Sequence, residues 1–103
     1  MADYVIDVRK YSPSASEAAV AAIVKYCGGS LQQADAALVA AAVPQELATV
    51  RDGFAAKKLG LGAEAAEAGI KAVAEKMKGV ARKSRVTFYY LLAEATGTLY
   101  KLG

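Results

Sequence analysis

From Ser84 the chain reads Val86-Thr87-Phe88-Tyr89-Tyr90-Leu91-Leu92-Ala93-Glu94-Ala95, with no glycine, proline or other turn signal before Gly97. An unbroken segment of more than ten residues is too long for an ordinary strand, so it reads as a helix over about residues 84–96 despite its β-branched and aromatic start. Wound into a helix, its large apolar side chains cover nearly the whole circumference. A helix apolar all round is the one that others wrap. The rest of the sequence must then supply partner helices that each turn an apolar stripe toward this central one, which makes the expected fold class all-α.

Those partners can be drawn. Tyr4, Val5, Val8 and Tyr11 fall near one face of a short first helix over about Tyr4 to Lys10, with Asp3 placed as its N-cap. After Ser12-Pro13, the run Ser14-Ala15-Ser16-Glu17 has the Ser-x-x-Glu form of a capping box and opens a second helix. Its inward stripe is Val20, Ile23, Val24 and Cys27, and Gly28-Gly29 ends it by supplying a left-handed conformation. An Ala-rich helix is expected over about Asp35 to Ala42. Pro44 suits the first turn of the next helix, where its missing N–H is no loss. That helix presents Leu47, Val50 and Phe54, and closes at Lys57-Lys58-Leu59-Gly60-Leu61, with Gly60 as the residue beyond the cap and Leu61 folding back. From about Ala63 to Lys78, Ala66, Ile70, Val73 and Met77 form an inward stripe, while Glu67, Lys71 and Glu75 lie four apart on the outer side. Beyond Gly97, the residues Leu99, Tyr100 and Leu102 are expected to tack the tail onto the core. The total is five to six helices.

Composition agrees and narrows the chemistry. Alanine is as numerous as leucine, valine, isoleucine and methionine together, which favours closely packed helices. With 103 residues there is material for one core, so a single helical domain over 1–103 is expected. Cys27 is the one cysteine and no histidine is present, so no intrachain disulfide, no His/Cys metal site and no imidazole-dependent triad is expected. No cofactor is implied. The start Met1-Ala2-Asp3-Tyr4 lacks the basic and apolar regions of a signal peptide, and no uncharged run approaches the length needed to span a bilayer. A cytoplasmic protein without membrane contact is the expectation.

The run Lys83-Ser84-Arg85-Val86-Thr87-Phe88-Tyr89-Tyr90-Leu91-Leu92-Ala93-Glu94 resembles the signature of a family of short bacterial proteins defined as a domain of unknown function. The likeness extends to the opening Asp3-Tyr4 and Asp7-Val8-Arg9-Lys10-Tyr11, to Ala18-Ala19-Val20 and to Lys57-Lys58-Leu59-Gly60-Leu61. It implies a compact all-helical fold and an intracellular bacterial protein. It carries over no activity, ligand or catalytic residue.

Net charge is +3 and the excess cations lie in the C-terminal half. Lys76, Lys78, Arg82, Lys83 and Arg85 straddle the loop between the last two long helices. Cations suit the end of the first of these helices, but Lys83 and Arg85 flank Ser84 at the start of the second. There they meet the positive end of the helix dipole, at a cost of roughly 0.3–1 kcal/mol each. Two readings offset this cost. Arg82 or Arg85 pairs with an acid from another helix, such as Asp7 or Asp52; or Arg82, Lys83, Ser84 and Arg85 bind a phosphate, sulfate or carboxylate ligand. Nonspecific nucleic-acid contact through residues 76–85 ranks below both, because the cluster is modest and Tyr100 alone is expected outside the helices as a free aromatic.

Other features read as structural. Tyr89 and Tyr90 diverge by about 100° around a helix, so one phenol is expected to find a polar partner. Cys27 sits at a helix C-terminus, without the positive dipole that activates a thiol. Gly28-Gly29-Ser30 lacks the glycine and lysine spacing of a phosphate loop. Glu64, Glu67, Glu75 and Glu94 are expected on outer faces, unpaired for acid/base work. The function expected is therefore that of a small, non-catalytic helical binding or protein-interaction domain, self-associating or joined to another protein. Binding of a phosphorylated or other anionic ligand at 82–85 is the alternative.

Overall fold

The computed structural model describes residues 2–28, 38–39, 44–79 and 83–102. They form α1 (Ala2–Arg9), α2 (Glu17–Cys27), strand β1 (Leu38–Val39), α3 (Pro44–Val50), a π-helical segment (Arg51–Lys58), α4 (Ala63–Lys76), strand β2 (Lys83–Ser84), α5 (Arg85–Ala95) and a 3-10 turn (Leu99–Lys101). The fold is all-α. None of the described helices is long and apolar enough to cross a membrane.

Helix α5 is the centre of the arrangement. Every residue from Val86 to Ala93 is buried, and α1, α2, α4 and the π segment all pack on it. Each partner contributes the stripe its sequence spacing announces: Val5 and Val8 from α1, Val20 and Ile23 from α2, Val50 from α3, and Ala66, Ile70, Val73 and Met77 from α4. The α4 helix comes closest. Gly69 faces Leu92 and Thr96 so tightly that a Cβ there would stand 2.7 Å from a methyl carbon of each.

Polar groups on the surface of α5 are individually matched. Thr87, fully buried, donates its hydroxyl to the Asp7 carboxylate of α1. Glu94 accepts from the Ser12 hydroxyl at 2.5 Å, and Tyr90 OH accepts the Ser16 backbone N–H at 3.1 Å. Among the described residues no buried side-chain nitrogen or oxygen lacks a partner, as a stable interior requires. The tail is fixed by Leu102, which is buried, and by Lys101, whose ammonium donates to the Leu59 carbonyl at 2.7 Å.

Helix α3 does not continue as an α-helix. From Arg51 the winding widens, and the Leu59 N–H bonds to Phe54 O, five residues back. Val50, Phe54 and Leu59 are all buried. Their spacing of four and then five residues explains the change, because an α-helix would turn Leu59 about 140° away from Phe54, whereas i→i−5 winding keeps both inward. Gly60, at φ 68°, then reverses the chain. Leu61 folds back onto the core as expected, its N–H reaching Ala55 O at 2.9 Å.

Several local expectations are corrected. Helix α1 begins at Ala2, so Asp3 lies inside it and is not its cap. The cap of α2 is Ser16, whose hydroxyl accepts from Ala19 N–H, and not Ser14; Glu17 is thus the first helical residue. Pro13-Ser14 is spent on the turn, and Ala15 is buried beneath it. The helix expected over Asp35 to Ala42 falls largely outside the described residues. Its Leu38-Val39 portion is instead extended and antiparallel to Lys83-Ser84, with Leu38 opposite Ser84 and Val39 opposite Lys83. Helix α4 stops at Lys76, two residues early, and Tyr100 is 75% exposed and does not tack the tail down.

Candidate functional site

Two places hold the candidate residues. The first is the entrance to α5. Ser84 precedes the helix but makes no side-chain cap bond there. Arg85 turns inward: Nη2 donates to Glu46 Oε1 at 2.5 Å and Nη1 to Tyr89 OH at 2.8 Å. Both partners of the ion pair are well covered, at 12% and 25% side-chain exposure. Among the described residues the acid is thus Glu46, in the first turn of α3, and neither Asp7 nor Asp52. Those two are engaged elsewhere, Asp7 by Thr87 and Asp52 by Arg51. Arg82 and the Lys83 side chain lie outside the described residues. Of the remaining cations in the cluster, Lys76 reaches Glu94 at 3.7 Å and Lys78 is exposed. Glu94, expected on an outer face, is therefore a shared acceptor for Lys76 and Ser12.

Beneath Arg85 lies an aromatic wall. Phe54 stacks on Tyr89 at 4.1 Å between centroids with a 12° interplanar angle, and Tyr26 meets the Phe54 edge at 5.3 Å. The Arg85 guanidinium carbon is 5.6 Å from the Tyr89 centroid, within cation–π range. Burial pushes the Tyr89 phenol above its ordinary value, against the opposing pull of Arg85. Burial likewise raises the half-buried Cys27 thiol, again opposed by Arg85. A raised thiol is a poor nucleophile at neutral pH. Tyr89 and Tyr90 diverge as their helical positions require, and both phenols find partners, one on Arg85 and one on Ser16.

The second place is a groove of about 370 Å³ between α3 and α4. Leu47, Ala48 and Arg51 line one wall; Glu67, Ile70, Lys71 and Ala74 line the other. Arg51 Nη1 donates to Glu67 Oε1 at 2.8 Å and so straps one end. The same guanidinium holds Asp52 through Nε at 2.9 Å and Nη2 at 3.1 Å. These bonds keep the exposed Asp52 carboxyl below its ordinary range. Four apolar side chains form the floor and sides, with Ile70 buried at its base. Lys71 is exposed and makes no ion pair with a carboxylate among the described residues.

A family model, described as protein of unknown function (DUF2853), matches residues 3–100. The chain belongs to this family. The DUF2853 match runs from Asp3 within α1 to Tyr100 within the 3-10 turn, and so takes in both walls of the groove and the Arg85 entrance. Comparison with curated proteins finds no match.

The groove of this DUF2853 chain was not legible in its sequence. Glu67 and Lys71 read as a solvated outer face, and they are indeed exposed. Spacing offered one signal: Leu47, Ala48 and Arg51 share a face at i, i+1 and i+4, as do Glu67, Ile70, Lys71 and Ala74 at i, i+3, i+4 and i+7. That these two faces oppose each other is a fact of packing.

Proposed function

We propose that this chain works as one small, non-catalytic helical binding domain over residues 1–103, and that its binding surface is the groove between α3 and α4. The observation that carries the proposal is the lining: four apolar side chains with a few charged groups at the rim, in a concavity of about 370 Å³. Size and composition are those of small-ligand sites. The buried and half-buried polar groups elsewhere support binding over catalysis, because they are consumed by one another: Asp7 by Thr87, Glu46 by Arg85, Glu94 by Ser12 and Lys76. A general acid or base needs a titratable group facing a substrate. Anion binding at 82–85 gains no support from Arg85, whose guanidinium is already held by Glu46 and Tyr89.

The occupant that fits is a compact apolar group. From Glu67 to Ala74 the α4 wall is about 10 Å long, too short to seat a long partner helix and long enough for a short aliphatic chain. Titration with 1-octanol, followed by amide shifts in NMR, is expected to perturb Leu47, Ala48, Ile70 and Ala74 first. Ala74→Phe, which fills the groove from its wall, is expected to abolish those shifts while leaving the remainder of the spectrum in place. Perturbations scattered over the surface, or unchanged by Ala74→Phe, would remove the groove as the binding surface.

A further inference from the structure

We infer that the apolar group the groove takes carries a flat aromatic ring, and that this ring stacks on the face of the Arg51 guanidinium. This assignment of ligand class rests on the groove being the binding surface.

Arg51 is held in its plane from two sides. Nε and Nη2 donate to the two oxygens of Asp52 at 2.9 and 3.1 Å, and Nη1 donates to Glu67 Oε1 at 2.8 Å. All N–H groups of a guanidinium lie in its plane, so these bonds fix the plane and leave its faces unengaged. Asp52 belongs to the helical segment that carries Arg51, and Glu67 to α4, so the plane contains the line that crosses the groove from wall to wall. Its faces therefore point at neither wall and border the open space between them. The side chain is 30% exposed and lines the groove beside Leu47 and Ala48.

A guanidinium already immobilised by two carboxylates loses little further freedom when a ring is laid on it. Two acids share the one guanidinium, and Lys71 stands one turn from both Glu67 and Glu75. The rim thus holds no uncompensated positive charge to reward an anionic head. The negative face of an aromatic ring suits the cation without displacing either acid. The chain makes the same contact internally at Arg85, where a guanidinium held by Glu46 at 2.5 Å lies 5.6 Å from the Tyr89 centroid. Arg51 is a second carboxylate-held guanidinium, and among the described residues no ring of the chain lies over it. Ile70 at the base and the small Ala48 and Ala74 leave apolar room for the ring beside it.

Two probes of matched length, 4-phenyl-1-butanol and 4-cyclohexyl-1-butanol, separate a stacked ring from apolar bulk, with 1-octanol as the probe of the groove itself. In NMR titrations the phenyl probe is expected to move the Arg51 side-chain Hδ and Hε resonances upfield by its ring current. The cyclohexyl probe is expected to leave them near their starting positions. Arg51→Met keeps an apolar stem and removes the plane; it is expected to lower the ratio of phenyl to cyclohexyl affinity about threefold, the scale of an exposed cation–π contact. Because both probes are uncharged, freeing Asp52 and Glu67 in this variant acts on both alike, and the ratio reports the stacking alone. The upfield movement is read in the unaltered chain and so decides the matter even if the variant unfolds. If the phenyl probe shifts groove residues without that movement at Arg51, or if a folded Arg51→Met keeps the wild-type ratio, the inference fails while the groove stands. If 1-octanol itself leaves the groove residues unperturbed, the binding surface fails and the ligand class with it.

Discussion

Arg85 illustrates how a side chain's role is set by what it reaches. In sequence it is one cation among five near a helix start, where the dipole disfavours it. In the fold it is the clasp between α3 and α5, bonded to Glu46 and laid against the Tyr89 ring. The charge that stabilises it also bears on Cys27 and Tyr89, whose pKa values burial nonetheless raises. The sign follows from proton binding. The unfolded thiol and phenol release their protons near 9.0 and 10.0, whereas the folded ones hold them to higher pH. Above those values the unfolded chain binds fewer protons than the folded one, so stability is complete at neutral pH and falls as pH rises through this window. The urea midpoint is accordingly expected to be lower at about pH 10.5 than at about pH 8, with a smaller drop in Cys27→Ala. A midpoint flat across the window, or a drop identical in Cys27→Ala, would contradict the burial of the thiol as the cause.

Among the elements, the α4 and α5 pair is the most demanding. Gly69 permits an approach in which any larger residue collides with Leu92 and Thr96. Gly53, in the π segment, has open space around the position of a Cβ. The two glycines therefore predict opposite outcomes. Gly69→Val should destabilise by about 2–3 kcal/mol, the scale of overpacking, while Gly53→Ala should be neutral or stabilising by up to about 1 kcal/mol, since glycine is the more costly residue in a helix. Chemical denaturation of both variants measures the contrast. Equal effects would mean that the close approach of α4 to α5 is not what Gly69 provides. The π segment makes a further point at this scale. Its widening is demanded by the burial of Phe54 and Leu59 together, and the same helix displays Arg51 to α4 at the groove.

For the whole molecule, stability depends on one spine. With a radius of gyration of 12.1 Å the described chain is as tight as a domain of about 100 residues is expected to be. Phe88, one turn into that spine, is fully buried. Phe88→Ala should cost about 3–5 kcal/mol through lost burial and a residual cavity, a large part of the roughly 5–15 kcal/mol that holds a small domain together. Tyr100→Ala, at a position 75% exposed, should change stability by less than about 0.5 kcal/mol. Comparable losses in the two variants would argue against α5 as the organising element.

What the amino-acid sequence determined by itself was the periodic part of this protein. An apolar run with no outward face had to become the spine, and the stripes Ala66-Ile70-Val73-Met77 and Val20-Ile23 had to face it, because hydrophobic spacing and helix geometry are both local. Tertiary structure decided the rest. Whether Arg85 meets Glu46 or another acid, whether α3 widens at Arg51, whether Leu38-Val39 pairs with Lys83-Ser84, and whether two ordinary helix faces enclose a groove all depend on which distant residues arrive at the same place. Spacing along a chain says which side chains share a face; only packing says what that face meets.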